Sequence, residues 1–162
     1  MSLVDSPVGS VMMRNVLTIG AERPLSEGVK LMKEAKVGCI VVLEMERPVG
    51  IFTERDLVRE VAERGVEVLN RQMDKVMSRP LATILPKASV WDAIALMGRL
   101  GIRRLPVVEK GKLVGILTER DIFRLILSQQ HLLLESVSES MPAATREQFR
   151  GAVGLFGPEK LP

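Results

Sequence analysis

VGIFTERD, residues 49–56, and VGILTERD, residues 114–121, are the same eight-residue string with one apolar residue exchanged. The step between them, from Thr53 to Thr118, is 65 residues. At that offset residues 11–59 align with 76–124 without a gap, and 17 of the 49 positions are identical. The identities outside the string include Val-Met at 11–12 and 76–77, each followed two residues on by Arg, and Thr-Ile at 18–19 and 83–84. A duplication of this length is one structural unit built twice. Two copies are too few for an open solenoid, so a closed pair is expected.

Within each copy the apolar pattern reads β-α-β-β-α. A strand-like piece, NVLTI or PLATI, precedes a helical segment at 25–36 or 89–100. Leu25, Gly28, Val29, Met32 and Ala35 share one helical face, as do Val90, Ala93, Ile94, Met97 and Leu100, which places Met32 and Met97 in a core. Ser89 with Asp92 resembles a capping box, with Asp in place of the usual Glu or Gln. CIVVLE and RLPVVE then read as strands, turning at MERP or KGK into VGIFT or VGILT, which run straight into a charged amphipathic helix at TERD. The strands are almost continuously apolar, as expected when both sheet faces are covered. The first copy's last helix is expected to end near Gly65, and VEVLNRQMD leads into the second copy. The expected division is 8–65, 73–127 and an extension at 128–162. In that extension the last helix continues through Leu133, and a short helix starting at Pro142 carries Phe149 and Val153.

Composition narrows the function classes. Of 162 residues, 46% are hydrophobic and 27% charged, the profile of a globular chain. No apolar run reaches the roughly 18 to 20 residues of a membrane span. The opening MSLVDSPVGS lacks the basic start and apolar centre of a secretory signal, so a cytoplasmic location is expected. Cys39 and His131 are the sole residues of their kinds, which excludes an intrachain disulfide and a zinc site of the usual Cys and His composition. Cys39 lies in the apolar CIVVL run and His131 late in a helix, so they read as a buried thiol and a surface histidine rather than a nucleophile pair. The 23 basic residues are interspersed with 20 acidic ones, and four Phe and one Trp without any Tyr make a poor base-stacking platform, so nucleic acid is not the expected partner. GKL at 111–113 lacks the upstream glycine and the Ser or Thr of a P-loop. Trp91, on the second copy's first helix, is expected near an interface.

TERD itself has two readings. A Thr at the N-cap with an acid in the first turn is ordinary helix capping. Capping does not require the repeated Glu54-Arg55 and Glu119-Arg120, nor the placement of both strings where a strand ends and a helix begins, which is where ligand sites in α/β sheets gather. A helix N-terminus offers N–H groups to phosphate. An Asp there would repel phosphate but accepts the two hydroxyls of a ribose, while Thr and Arg can donate to phosphate. The set suits a nucleoside phosphate better than a free anion.

These features resemble the CBS domain, named for cystathionine β-synthase, whose copies pair into a Bateman module. The resemblance rests on VGIFTERD and VGILTERD, on the VM and TI opening of each copy and on GIRRLPVV, and covers residues 8 to 127. It implies an α/β (α+β) fold of two β-α-β-β-α repeats packed through their sheets with pseudo-twofold symmetry, here with a C-terminal helical extension. It further implies a homodimer and two clefts that hold AMP, ADP, ATP, S-adenosylmethionine or a relative; no catalytic or metal-binding residue and no required cofactor is expected. By that resemblance Asp56 and Asp121 would hold ribose hydroxyls, Thr53 and Thr118 ribose or phosphate, with Arg55 and Arg120 adding charge beside them. Thr18, Ile19, Thr83 and Ile84 would line the adenine wall, and Gly38, Cys39, Arg103 and Arg104 would face base or phosphates. Arg103 and Arg104 could neutralise phosphate where Gly38 and Cys39 cannot, and Pro106 matches the family's usual proline where Val41 does not, so the two sites are expected to be unequal. The competing expectations are a structural dimerisation module with empty clefts, a nucleic-acid-binding pair, and a small enzyme lacking any evident nucleophile.

Overall fold

The structure, a computed structural model, describes residues 5–128. The first copy runs β1 (Thr18–Gly20), α1 (Leu25–Ala35), β2 (Cys39–Glu44), β3 (Arg47–Thr53) and α2 (Glu54–Arg64). Two 3₁₀ turns, Val66–Asn70 and Met73–Lys75, lead to α3 (Val90–Leu100), β4 (Arg104–Glu109) and β5 (Lys112–Thr118). Residues 119–128 are helical and are called α4. The expectations for His131, Leu133 and the helix after Pro142 lie outside the described residues.

Both copies put the expected face of their first helix inward. Leu25, Gly28 and Met32 are buried from α1, and Val90, Ala93 and Met97 from α3. Ala35 and Leu100, the last residue of each helix, are exposed instead, Leu100 on the wall of a cleft. The Ser89 box closes: Asp92 Oδ2 accepts from Ser89 N at 3.0 Å, and Asp92 N donates to Ser89 Oγ at 3.0 Å. The Ser89 hydroxyl, which donates to Asp92 Oδ2 at 2.7 Å, and then the Ser89 N–H hold the Asp92 carboxyl below the ordinary carboxylate range. α3 stops at Gly101 with φ +63°, and α1 at Lys36 with φ +54°.

Each hairpin turns in two residues. Glu44 opposes Arg47 across Met45-Glu46, and Glu109 opposes Lys112 across Lys110-Gly111. All four turn residues have positive φ, between 46° and 77°, which is the geometry whose twist matches paired strands. The copies differ at the third strand. β1 pairs parallel with β2 from Thr18↔Val41 to Gly20↔Leu43, and Val41 N donates to Leu17 O at 3.0 Å. Val41's counterpart is Pro106, which has no N–H to give Ala82. The second copy therefore keeps a two-stranded sheet, β4-β5, and PLATI contributes one bridge, Ile84↔Val107, rather than a strand.

Two cores result, and each is completed by the other copy. Ile19, Leu25, Met32, Ile40, Val42 and Phe52 pack with Met73 and Val76 from the segment leading into the second copy. Val90, Met97, Leu105, Val107 and Leu117 pack with Val8 from the segment leading into the first. Backbone bonds repeat the exchange at the 65-residue offset. Val8 N donates to Ala88 O at 2.8 Å and Met73 N to Arg23 O at 2.9 Å. Met13 and Ile116 bond mutually at 2.9 Å, and Ser78 and Ile51 bond mutually at 2.8 and 3.2 Å. The repeated strings VM and VGI are two sides of this one contact. Met77 lies on Gly50 and Met12 on Gly115, each where a Cβ would stand. No helix among the described residues is long and apolar enough to cross a membrane.

Candidate ligand-binding clefts

The site is built at the two strand-to-helix junctions. Thr53 ends β3 in extended backbone and caps α2, and Asp56 returns the cap. Asp56 Oδ2 accepts from Thr53 N at 2.9 Å and Thr53 Oγ1 at 2.8 Å, while Asp56 N donates to Thr53 Oγ1 at 3.3 Å. The second junction repeats these bonds between Thr118 and Asp121 at 2.9, 2.6 and 3.3 Å. Each threonine proton is thus directed at its own aspartate. Glu54 N donates to Gly38 O at 3.2 Å and Glu119 N to Arg103 O at 3.1 Å. First-turn donors are largely spent inside the protein, so phosphate would have to rely on side chains.

The aspartates are buried, at 5% and 7% exposure, and differ in their remaining oxygen. Asp56 Oδ1 accepts from Ser78 Oγ at 3.1 Å and lies 3.0 Å from an Arg59 nitrogen. Arg59 and Arg64 also flank the buried Glu60, at 3.6 and 3.0 Å. Asp121 Oδ1 has no hydrogen-bond or ion-pair partner among the described residues: Ser78's counterpart is Met13, which has nothing to donate, and Arg59's counterpart, Arg124, lines the cleft without pairing with it.

A cleft opens beside each junction, and each is assembled from both copies. The first, of 520 Å³, is lined by Thr53, Arg55 and Asp56, by Ser78, Pro80, Leu81 and Ala82, and by Leu100, Ile102, Arg103, Arg104 and Pro106. The second, of 680 Å³, is lined by Thr118, Arg120, Asp121 and Arg124, by Val16 and Leu17, and by Lys36, Val37, Gly38, Cys39 and Glu54. Both volumes lie in the range of small-molecule sites. Arg103 and Arg104 line both clefts. A Cβ at Gly38 would sit 2.8 Å from both Arg104 Nη2 and Glu54 Oε2, so the glycine lets these side chains close over it. Burial pushes the Cys39 thiol up, Arg104 partly opposes this and Glu54 adds to it. The thiol is held protonated, the opposite of a poised nucleophile.

Of the residues expected at the site, Thr53, Arg55, Asp56, Arg103, Arg104 and Pro106 meet in the first cleft, and Thr118, Arg120, Asp121, Gly38 and Cys39 in the second. Thr18, Ile19, Thr83 and Ile84 line neither. Ile19 and Ile84 are buried in the two cores, Thr83 is exposed, and Thr18 borders a separate 280 Å³ cavity with Arg14 and Lys112. The parallel register explains this. Thr18 stands beside Val41, past the start of β2, whereas the cleft lies at the start itself. Two residues along a strand is about 6.6 Å. The walls come from the preceding residues, Val16-Leu17 and Leu81-Ala82, and from the helix ends at Lys36-Val37 and Leu100–Ile102. The 65-residue offset links most of these pairs, but apolar pattern alone does not separate wall from core. Among the described residues no three His, Cys, Asp or Glu side chains are placed to hold a metal ion.

The model of the CBS domain family matches residues 8–63 and again 73–128. This chain belongs to the CBS domain family. An uncharacterized protein of Methanopyrus kandleri is 38% identical to this CBS pair over 139 residues, which is 83% of the chain and 67% of that relative. The chain spans 45% of another relative, an uncharacterized protein of Methanocaldococcus jannaschii. A putative signal-transduction protein with CBS domains from Burkholderia ambifaria superposes with a TM-score of 0.72 at 25% identity, over 77% of this chain and 96% of that one. A CBS domain pair solved with 5′-methylthioadenosine and S-adenosyl-L-methionine shares the fold, with a TM-score of 0.70 at 21% identity, over 76% and 98% of the two chains.

Proposed function

We propose that this CBS pair is a regulatory module that binds an adenosine-type ligand, such as AMP, ADP, ATP or S-adenosylmethionine, in its two clefts and performs no chemistry itself. The observation that carries this reading is Asp121: a buried residue on the wall of a 680 Å³ cleft, with one carboxylate oxygen committed to its cap and the other without a partner among the described residues. A carboxylate oxygen open to the cleft in this way can accept from a ribose diol, which supplies two donors. Leu81, Ala82, Leu100 and Ile102 give the first cleft an apolar wall suited to a purine, with Arg55, Arg103 and Arg104 for phosphate. That a pair of the same fold holds 5′-methylthioadenosine and S-adenosyl-L-methionine supports the ligand class by analogy of fold. The protein would act in the cytoplasm as a homodimer, reporting ligand through a change in the angle between its repeats. Such a change requires the ligand to prefer one arrangement over the other.

Calorimetry with AMP, ADP, ATP and S-adenosylmethionine is the test. Binding by the wild type, and its loss in D56A/D121A with the fold retained, is the expected outcome. Equal affinity in the double variant removes the aspartates from the site. No binding by the wild type favours the structural reading, in which TERD only caps helices; the closed capping boxes at both junctions are the observation on its side.

A further inference from the structure

We propose that Arg103 and Arg104 couple the two clefts, so that phosphate-bearing ligands compete for one arginine pair while an uncharged nucleoside fills both clefts independently. This rests on the ligand reading above. Both side chains line both cavities, and Arg104 reaches over Gly38 because no side chain stands there. The charge count gives the pair its weight. Without it, the first cleft holds one cation, Arg55, against one anion, Asp56. Without it, the second holds Lys36, Arg120 and Arg124 against Glu54, Glu119 and Asp121. Each lining is then neutral, so the net positive charge of both clefts is this same pair of guanidinium groups.

A phosphate engages a guanidinium through paired N–H donors in a fixed fork. A phosphate in one cleft therefore draws the forks toward itself and neutralises the charge that would attract a second. The equivalent positions in the first copy, Gly38 and Cys39, carry no charge to compensate. The coupling is reciprocal: whichever cleft fills first weakens the other by the same factor, typically about 5- to 150-fold for linked sites.

Calorimetry of the full chain with AMP and with adenosine tests this. D121A reports the first cleft alone, and D56A the second. For AMP, the wild-type constant for filling both clefts should fall at least about fivefold below the product of the two single-cleft constants. For adenosine it should equal that product. Should either aspartate variant fail to fold, the comparison passes to R103A/R104A, in which the spacing of the two AMP steps should collapse to that of adenosine. AMP saturating at one ligand per chain where adenosine reaches two is the extreme of the expected result. Equality with the product for AMP, or the same deficit for adenosine, overturns the coupling and leaves the ligand reading standing. Absence of binding by either ligand overturns both.

Discussion

At Asp56 every oxygen is answered within the protein: Thr53 takes one, Ser78 and Arg59 the other. At Asp121 no described residue answers the second oxygen: position 13 is Met where position 78 is Ser, and Arg124, the counterpart of Arg59, forms no ion pair with it. A ligand entering the first cleft must therefore displace contacts that a ligand entering the second does not. Cys39 offers a direct reading of the second cleft. Its thiol is raised by burial, so less thiolate is present at any pH below its titration than in a free thiol. Alkylation at pH 7 should be slower than for free cysteine and accelerate only above the ordinary thiol range of about 8.5. Arg104 lowers that thiol, so R104A should slow labelling further, and a bound nucleotide should block it. Labelling as fast as a free thiol would contradict the burial. The sequence made the TERD residues legible as a cap and as a site, since both uses need Thr and Asp at that spacing. It did not reveal that the cap consumes the threonine proton, nor that Thr18 lies two residues past the cleft. Both depend on register and rotamer, which residue type leaves open.

Between elements, the two hairpins carry different amounts of strain. Lys110-Gly111 has glycine at one positive φ, whereas Met45-Glu46 has none, and Met45 is 94% exposed with no packing to compensate. M45N/E46G should therefore stabilise the fold by about 1 kcal/mol, measured by denaturant unfolding. The two glycines under methionines should respond unequally to alanine. A Cβ at Gly50 meets Met77, a flexible side chain, whereas one at Gly115 also comes within 2.9 Å of Met13 O, which accepts from Ile116 N. G115A should cost about 1 to 3 kcal/mol. G50A should cost less, and M77A should relieve it, while M12A should not rescue G115A. The strand-helix order of each copy was readable because its apolar periods are long and repeated. The lost strand in the second copy was readable only by pricing Pro106 as a missing donor, since PLATI is as apolar as a strand.

For the whole molecule, each core contains residues delivered by the other copy, so neither can open alone without stripping Met73 and Val76, or Val8, from its neighbour. Thermal unfolding should show one transition. L105A, a fully buried truncation in the second core costing about 2 to 5 kcal/mol, should lower that transition without splitting it. Two separated transitions would mean that the exchanged segments contribute little. Pairing of two similar copies was legible from the 65-residue offset, but their exchange was not. A translation in sequence looks the same whether each leading segment folds onto its own copy or the other. The exchanged bridges are equivalent under a half-turn, and that is the contact set of a homodimer. A chain of half this length, meeting its own twin, would form the same bridges in duplicate. Joining such twins end to end removes the obligation to be identical, and a single gene can then hold a proline opposite a valine and two arginines opposite a glycine and a cysteine. The asymmetry of the clefts is a freedom that only the covalent tie provides.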